Sequence, residues 1–564
     1  MRARLEIMSS EPRTPSAIDQ IAENWVDTLV DLSPILATYI GRNEANARLD
    51  DVSPEGHERA VTAARETLAK LDATAPVDSI DEVTKTDLSA ELRLQLELHD
   101  AQWHLRDLNV IASAPQDFRQ AFDLMPTETV DDWSVVSERL AAVPGALRGY
   151  VETLREGIRH GVVPARRQVT EVATQIARYS ADQGFFAEFA ATAAPADGQL
   201  PASLARDIAD HAGAARVAYD SLREFLISEL APVAGDQDAV GRDLYALNSR
   251  RFLGATIDLD ETYEWGREEL QRMIAEQEAI ANEILPGASV EEAVAHLEAD
   301  PSRKLHGTDA LQKWMQETSD RAIADLGASH FDIPEQIREL ECMIAPTQEG
   351  GIYYTGPTDD FSRPGRMWWS VPEGVTEFDT WRELTTVYHE GVPGHHLQIA
   401  QATYNRAELN TWRRVLAGTS GHAEGWALYA ERLMQQLGYL DDPADRLGML
   451  DGQRMRALRV VLDIGVHLGK PTLDGDGVWD HDYALEQMRR NVNMPDEFRQ
   501  FEVNRYLGWP GQAPSYKVGQ RIWEQVRDAV QQKQGDAFSF KDFHKRALDI
   551  GGVGLDTLRT AVIG

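Results

Sequence analysis

Three histidines and one glutamate stand close together in the segment Tyr388–Gln398, which reads YHEGVPGHHLQ. Imidazole nitrogens and carboxylate oxygens are zinc ligands, and the order of these residues resembles the zinc-binding pattern HExxH. In that pattern the two histidines lie one helical turn apart on one face, so both reach the same ion. Here Pro393 occupies the position four residues after His389, and the next histidines are His395 and His396. The spacing alone therefore leaves a metal site undecided.

A straight helix would bring neither later histidine next to His389. His395 would point roughly 240° away around the axis, and His396 would lie roughly 10.5 Å further along it. Pro393 cannot continue a helix without a kink, and Gly394 permits backbone angles closed to other residues. A two-residue looped insertion could therefore return His395 to the place of the missing ligand. The alternative is a helix that ends before a Pro-Gly turn, with two histidines opening the next element and no metal.

A second segment, Gly421–Glu431, reads GHAEGWALYAE and is typical of a helix. Its glutamates, Glu424 and Glu431, are seven residues apart and lie on one face. Glu424 follows His395 by 29 residues and has apolar neighbours, where a carboxylate needs a partner because its unpaired burial is costly. A zinc ion would be such a partner. The alternative is an ordinary helix with solvated glutamates, which is the interpretation we favour for Glu431.

Most of the chain that must position these residues has helical periodicity. Apolar residues recur every three or four positions, and Ala, Leu, Glu and Arg are frequent. We expect Asp260 to cap the helix at Thr262 and the pair Pro144-Gly145 to interrupt another helix. The predicted helices are Ser89–Leu108, Trp133–His160, Leu204–Leu230, Thr262–Ile284 and Val290–Leu297.

The amino-acid composition changes between residues 343 and 379, where Gly, Pro, Ser and Asp separate aromatic residues such as Tyr353 and Trp368. This composition indicates short strands and turns. An edge strand here would pair with an extended peptide, although a structural hairpin explains the pattern equally well. The helical pattern resumes at Trp381–Glu390, with Asp379 as the expected N-cap. The predicted fold is mainly α, with a small β-sheet near the cleft that holds the histidines.

We predict an approximate domain boundary near residue 250. It separates an N-terminal helical region, 1–250, from a C-terminal region, 251–564, that contains the HEGVPGHH motif. The alternative is one continuous domain in which both parts share a core. A chain of 564 residues is long enough for either arrangement.

Charge and cysteine content exclude several classes of protein. Lys and Arg number 56 and Asp and Glu 92, for a net charge of −36, so we expect binding to neither nucleic acid nor membrane. The single cysteine, Cys342, excludes internal disulfides and cysteine-based zinc sites, and we expect it in the core. Residues 1–16 lack the apolar run of a signal peptide, and no segment approaches about 18 uninterrupted apolar residues. These features predict a soluble cytoplasmic protein and leave its oligomeric state open.

The motifs HEGVPGHHLQ and EGWALYAE together resemble the bacterial family known as domain of unknown function 885. The similarity continues through residues 353–365, 459–467, 505–513, 543–544 and 551–558. That family is similar to zinc metallopeptidases with a glutamate third ligand, the thermolysin-like glutamate zincins. The resemblance implies a large helical, metallopeptidase-like fold.

The resemblance also implies a role for each residue of the motifs. The family pattern is close to HExxPGHxxQ and varies at the position of His396, which favours His395 as the second ligand. His389, His395 and Glu424 would then hold Zn²⁺. Glu390 would be the general base that takes a proton from water and passes it to the leaving amine.

The carbonyl oxygen of a substrate would need a hydrogen-bond donor besides the metal. Tyr516, Arg505, Tyr506 and His467 lie in polar and aromatic segments after the ligands, and we favour Tyr516 and His467. Asp463 lies one turn before His467 and could orient it or a ligand histidine. Ordinary structural roles are the alternative: Arg505 paired with acidic neighbours, and His467 satisfied within its helix.

The function predicted from the sequence is zinc-dependent hydrolysis of a peptide or related amide bond, with a peptide or small amide as substrate. One alternative is a non-catalytic helical protein that binds a peptide or partner in its groove. Another is a hydrolase of non-peptide amides.

Overall fold

The computed structural model of the chain describes residues 13–345 and 351–564. The prediction that residues 1–16 lack a signal peptide falls mostly outside these ranges. Residues 346–350 of the segment predicted to form strands and turns also lie outside them.

The N-terminal part consists of helices, several of which begin with a recognisable capping sequence. Ser16 and Thr129 each form a capping box with an aspartate three residues later, Asp19 and Asp132, which satisfies two free amide groups at each helix start. Helices α1 to α9 span Ala17–Leu32, Pro34–Tyr39, Pro54–Ala73, Ser79–Asp100, Ala114–Gln120, Val130–His160, Arg166–Tyr179, Phe185–Ala191 and Ala202–Phe225.

Two hydrophobic cores hold this part together. The larger one lies between α5, α6, α7, α8 and α9 and includes Leu140, Phe186 and Tyr219. The smaller one joins α1, α3 and α4 and includes Trp25 together with Trp412 from the C-terminal part. The two parts of the chain are therefore packed against each other.

The next part contains four helices and all of the strands in the described ranges. Strands β2 (Leu340–Ile344), β4 (Gly365–Trp369) and β3 (Ile352–Thr355) form one sheet in that order. Strand β2 is parallel and β3 antiparallel to β4, so β3 is an edge strand. Strands β1 (Lys304–His306) and β5 (Glu377–Asp379) form an antiparallel pair. The helices α10 to α13 span Arg242–Leu253, Leu259–Ile284, Val290–Glu298 and Thr308–Ser329.

The remaining helices, together with α10 to α13 and the strands, build the largest core, around Trp381, Trp426 and Trp523. Helix α16 lies so close to α20 that a Cβ on Gly425 would come within 2.4 Å of the carbonyl carbon of Gly519. Helices α14 to α22 span Thr380–Glu390, His395–Tyr404, Ser420–Gln436, Pro443–Leu468, His481–Asn491, Asp496–Gly508, Ser515–Gln534, Phe540–Asp549 and Leu555–Ile563.

The mainly α fold class with small sheets is confirmed, and Cys342 is buried as expected. Three details of the helix predictions are wrong. Helix α4 begins at Ser79 and ends at Asp100, so the helix predicted over Ser89–Leu108 starts too late and extends too far. Helix α6 runs without interruption through Pro144, because burial of its apolar face against the core offsets the hydrogen bond that proline cannot make. Helix α11 begins at Leu259 and is capped by Asp258 rather than Asp260.

Several polar contacts cross the predicted boundary near residue 250. The side-chain amide of Gln168 donates to the carbonyl oxygen of Asn504 at 2.8 Å, and the amide of Gly554 donates to Asp87 at 2.8 Å. The division into 1–250 and 251–564 stays a prediction. Within the described ranges, none of the helices combines the length and the apolarity needed to cross a membrane.

Candidate metal centre

The chain turns sharply between His389 and His395. Helix α14 ends at Glu390, and α15 begins at His395 after a four-residue loop that contains a cis peptide bond between Val392 and Pro393. The turn matches the alternative stated above, in which one helix ends before the Pro-Gly turn and the two histidines open the next helix. It nevertheless brings the rings of His389 and His395 together, with centroids 4.8 Å apart and planes at 90°.

Close backbone packing fixes the loop. A Cβ on Gly394 would lie 1.9 Å from the carbonyl oxygen of His389, so only glycine fits against the last turn of α14. The indole N–H of Trp426, on α16, donates to the carbonyl oxygens of Pro393 and Gly394 at 2.9 and 3.2 Å. The same helix carries Glu424, so one contact holds the loop beside the candidate third ligand.

Donor atoms of four side chains converge at this turn. One nitrogen or oxygen of each of His389, Glu390 and His395 lies within 4.8 Å of the others, a grouping that could hold a metal ion. The Oε2 atom of Glu424 is closer still, 3.4 Å from Nε2 of His389 and 3.7 Å from Nε2 of His395. Glu424 is thus placed between the two imidazoles, where a third ligand belongs.

These distances fit a tetrahedral zinc site. Ligands at about 2.0–2.1 Å from zinc in tetrahedral geometry are about 3.3–3.4 Å from one another. The Oε2 atom of Glu424 is also buried without a hydrogen bond to the described residues, as is Nδ1 of His395. A cation between the imidazoles would satisfy this carboxylate oxygen, so the residues present fit a divalent metal.

The charges of the site depend on one another in the absence of a metal. Burial lowers the pKa of His389, but the adjacent carboxylates of Glu424 and Glu431 outweigh it and raise that pKa to about 10. Burial acts to raise the pKa of Glu424, but the two imidazoles hold it well below its usual range. A metal would take the place of the shared protons.

Glu431 supports His389 from the other side, which corrects the expectation that it is solvated. It is 1% exposed, and its Oε1 accepts a hydrogen bond from Nδ1 of His389 at 2.7 Å. Its Oε2 accepts from the side-chain amide of Gln453 at 3.0 Å. This arrangement fixes the ring so that Nε2 faces Glu424, as is usual for a metal-binding histidine.

His396 points away from the centre. Its Nδ1 accepts from the hydroxyl of Tyr354 at 2.9 Å, and its Nε2 donates to the carbonyl oxygen of Ile337 at 2.7 Å. Burial lowers its pKa to about 4, so it stays neutral. The structure therefore gives His396 two protein partners and places His395 among the candidate ligands.

Glu390 lies beside the candidate ligands and is 7% exposed. Burial raises the pKa of its carboxyl group, while His395 and His389 act in the opposite direction. A carboxylate whose pKa is raised is a stronger proton acceptor, as a general base requires.

Tyr516, on α20, also lies near the centre. Burial and then the charge of Glu424 raise the pKa of its phenol, and Arg459 lowers it. The guanidinium carbon of Arg459 is 5.1 Å from the ring centroid, and that of Arg456 is 5.8 Å from it. The hydroxyl has no hydrogen-bond partner among the described residues, so it is free to donate to a bound molecule.

Arg505 belongs to a buried ionic network next to Tyr516. It forms two hydrogen bonds with Glu502, at 3.0 and 2.9 Å, and one with Gln512 at 2.6 Å. Glu502 also binds Arg459 at 2.9 Å and the hydroxyl of Tyr506. The structure thus places Arg505 and Tyr506 behind Arg459, with all their polar contacts made inside the protein.

His467 and Asp463 are enclosed in a separate cluster. Nε2 of His467 donates to the carbonyl oxygen of Tyr506 at 3.2 Å, and its ring stacks on Tyr245. Asp463 accepts hydrogen bonds from the hydroxyl of Tyr245 and the amide of Gly511, at 2.7 and 2.8 Å. Neither side chain contacts the candidate ligands, and these contacts give both a structural role.

The sequence did not single out Gln453, Tyr354 or Trp426. Each acts on the site through a contact between elements far apart in the chain, and residue spacing carries no signal for such a contact. Glu431 did have a signal, since it shares a helix face with Glu424.

The chain matches the sequence profile of the family described as bacterial protein of unknown function (DUF885) over residues 34–562. It has no match among curated proteins. A protein from Colwellia psychrerythraea described as a lipoprotein has a similar structure, with a TM-score of 0.81, 20% identity and coverage of 97% of this chain and 99% of that one. A protein from Shewanella oneidensis described as a lipoprotein of unknown function gives a TM-score of 0.75, 17% identity and coverage of 97% and 100%. Identities this low show a common fold alone, so the resemblance to zinc peptidases stays a prediction.

Proposed function

The chain belongs to the bacterial DUF885 family, and we propose that it is a zinc-dependent hydrolase of peptide or related amide bonds. One observation carries this proposal. Nε2 of His389 and Nε2 of His395 lie 3.4 and 3.7 Å from the same oxygen of Glu424, with the buried carboxyl of Glu390 alongside. In this proposal His389, His395 and Glu424 hold the zinc.

Zinc, when bound, would lower the pKa of a water molecule and polarise the carbonyl group of the substrate. Glu390 accepts the proton of the attacking water on its carboxylate and transfers it to the leaving nitrogen. The raised pKa of Glu390 favours both steps, because it brings the carboxyl closer to the pH at which it must bind and release a proton.

Tyr516 is the donor that we propose for the carbonyl oxygen of the substrate. Burial, and after it the nearby charge of Glu424, raises the pKa of its hydroxyl, so the phenol keeps its proton at neutral pH. A neutral phenol can donate a hydrogen bond to the negative charge that develops on the oxygen. Arg505 is a positioning residue in this scheme, since it holds Glu502, which in turn holds Arg459 against Tyr516.

Peptides are the substrates that we favour over other amides. Strand β3, Ile352–Thr355, is at the edge of its sheet, where an extended chain could add as a further strand. Tyr354 of that strand is hydrogen-bonded to His396, the residue after the candidate ligand His395. The edge strand is therefore hydrogen-bonded to the residue that follows a candidate ligand.

The test is hydrolysis of a peptide library by the wild-type chain and by Glu390→Gln, each with zinc measured in the same sample. We expect the variant to keep its metal and to lose about 100- to 10,000-fold in rate, the usual contribution of a general base. Glu373→Gln, at an exposed glutamate, is the matched control. Full activity of Glu390→Gln would remove Glu390 from the mechanism, and a wild-type chain without zinc or activity would favour a non-catalytic peptide-binding protein.

The cytoplasmic location inferred from composition is likewise a proposal. Two proteins of similar structure are described as lipoproteins, so fractionation of the native cells is needed to decide between the cytosol and a membrane fraction.

A further inference from the structure

Helix α17 carries three arginines in the turns that follow Gln453, and two of them form hydrogen bonds with other side chains. Arg454 donates to the side chains of Asn491 and Gln277. Arg459 donates to the hydroxyl of Tyr506 at 2.7 Å and to Glu502 at 2.9 Å. Their positive charges therefore already have polar partners within the fold.

Arg456, between them, has no such partner. It forms no ion pair and no hydrogen bond with the residues that the structure describes, and its Nε is buried without an acceptor. The side chain is half-buried rather than enclosed, and its guanidinium group has no hydrogen-bonded anion among the described residues. Such a group is a candidate for binding an anion that arrives from outside.

The surroundings of Arg456 are those of the metal centre. Its guanidinium carbon lies 5.8 Å from the centroid of the Tyr516 ring. It is also close enough to Glu390 and Glu431 to lower the pKa of both carboxyl groups, although burial has the larger effect on each. Glu431 is occupied by His389 and Gln453, and Glu390 is needed for proton transfer. Neither carboxylate is hydrogen-bonded to the guanidinium group, although both are close enough to attract it.

We propose that Arg456 binds a carboxylate group of the substrate next to the bond that is cleaved. The proposal rests on the hydrolase function proposed above. The planar fork of a guanidinium matches a carboxylate with two parallel hydrogen bonds, which gives orientation as well as affinity. The carboxylate is either the C-terminus of the peptide, which makes the enzyme a carboxypeptidase, or an acidic side chain, which makes it selective for acidic sequences.

A local cation matters because the protein as a whole is strongly acidic. The net charge of −36 repels anionic substrates at long range, but salt screens that repulsion beyond about 8–10 Å. Direct contact with Arg456 decides binding once the substrate is inside the site.

The experiment measures peptide binding to the full-length Glu390→Gln chain with zinc added, in which peptides bind without being cleaved. Three pools of N-acetylated tetrapeptides are compared: neutral with a free C-terminus, neutral and amidated, and amidated with one internal glutamate. We expect one of the two acidic pools to bind about 10- to 100-fold more tightly than the neutral amidated pool. The pool that is preferred identifies the source of the carboxylate.

Adding Arg456→Gln should abolish this preference while leaving binding of the neutral amidated pool unchanged. Arg456→Lys, which keeps the charge without the fork, should restore part of it and serves if the glutamine variant does not fold. Arg454→Gln, on the same helix, should retain the full preference. Equal binding of all three pools by the parent chain, or a preference that survives Arg456→Gln, would overturn the proposal.

Hydrolysis by the otherwise wild-type chain separates this proposal from the one on which it rests. If only the role of Arg456 is wrong, the chain still cleaves peptides, and Arg456→Gln slows cleavage of free and amidated pools alike. If the proposed function is wrong, no pool is cleaved, whatever the peptide binding shows.

Discussion

At the scale of single residues, the proposed metal centre depends on how His389 is held. Its Nδ1 binds Glu431 at 2.7 Å, and its Nε2 faces Glu424 at 3.4 Å. Glu431 is itself held by Gln453, whose amide oxygen accepts from the ammonium group of Lys517 at 2.6 Å. The orientation of one ligand is therefore fixed by a chain of buried polar contacts that reaches α20.

Replacing Glu431 by Gln should weaken zinc binding. Glutamine keeps the shape and can still accept from Nδ1, but it removes the negative charge that makes the imidazole a stronger ligand. Loss of such a partner typically lowers metal affinity about 10- to 100-fold. Competition with a chromogenic chelator measures the change, and Glu408→Gln, at an exposed glutamate on the surface, is the control. Unchanged affinity in Glu431→Gln would show that this carboxylate does not support the ligand.

The sequence predicted the residue types of the site better than their partners. The HEGVPGHH motif and Glu424 are local signals, and the structure brings His389, His395 and Glu424 together. His396 and Arg456 are residues whose contacts the sequence did not predict. The two protein partners of His396 and the missing partner of Arg456 depend on elements far away in the chain. Residue spacing does not predict such contacts.

At the scale of elements, α17 connects the proposed metal centre to the rest of the C-terminal part. It carries Gln453 and Arg456 toward the site, and Asp463 further along accepts hydrogen bonds from Tyr245 of α10 and from Gly511 before α20. Burial raises the pKa of Asp463 to about 7. This carboxyl group thus joins three segments of the chain, although burial disfavours its ionised form.

The pH dependence of stability should include a contribution from Asp463. Its pKa is about 3.9 in an unfolded chain and about 7 in the folded protein, so the folded state binds the proton more tightly. Stability from this group is fully present below pH 4 and is lost as the pH rises to about 7. Asp463→Asn cannot lose a proton, so its stability relative to wild type should increase by about 3 kcal/mol between pH 5 and pH 8.

Urea unfolding at the two pH values measures this difference, with Asp476→Asn at an exposed aspartate as control. A constant difference between Asp463→Asn and wild type would mean that Asp463 is ionised throughout this range.

Element boundaries were predictable where local signals decide them. The end of α14 and the strands between residues 343 and 379 followed from Gly, Pro and aromatic residues. Helix α6 passes through Pro144 because tertiary packing outweighs the local penalty, and that packing cannot be read from one segment.

At the scale of the whole molecule, the proposed centre is assembled from residues between His389 and Lys517 on five helices. The N-terminal part contributes none of the candidate ligands, yet it packs against the C-terminal part through Trp412 and through Gln168 with Asn504. The mainly α class was predictable from periodicity. The arrangement of the helices was not, because it depends on close contacts such as that between Gly425 and Gly519.

Zinc content tests the central claim most directly. The wild-type chain and the variants His395→Gln and His396→Gln are purified without chelators, checked for folding by circular dichroism, and analysed for metal per chain by mass spectrometry. We predict about one zinc per chain in the wild type and in His396→Gln, and loss of most of it in His395→Gln. A wild-type chain without stoichiometric zinc, or a His395→Gln variant that retains zinc while His396→Gln loses it, would contradict this account.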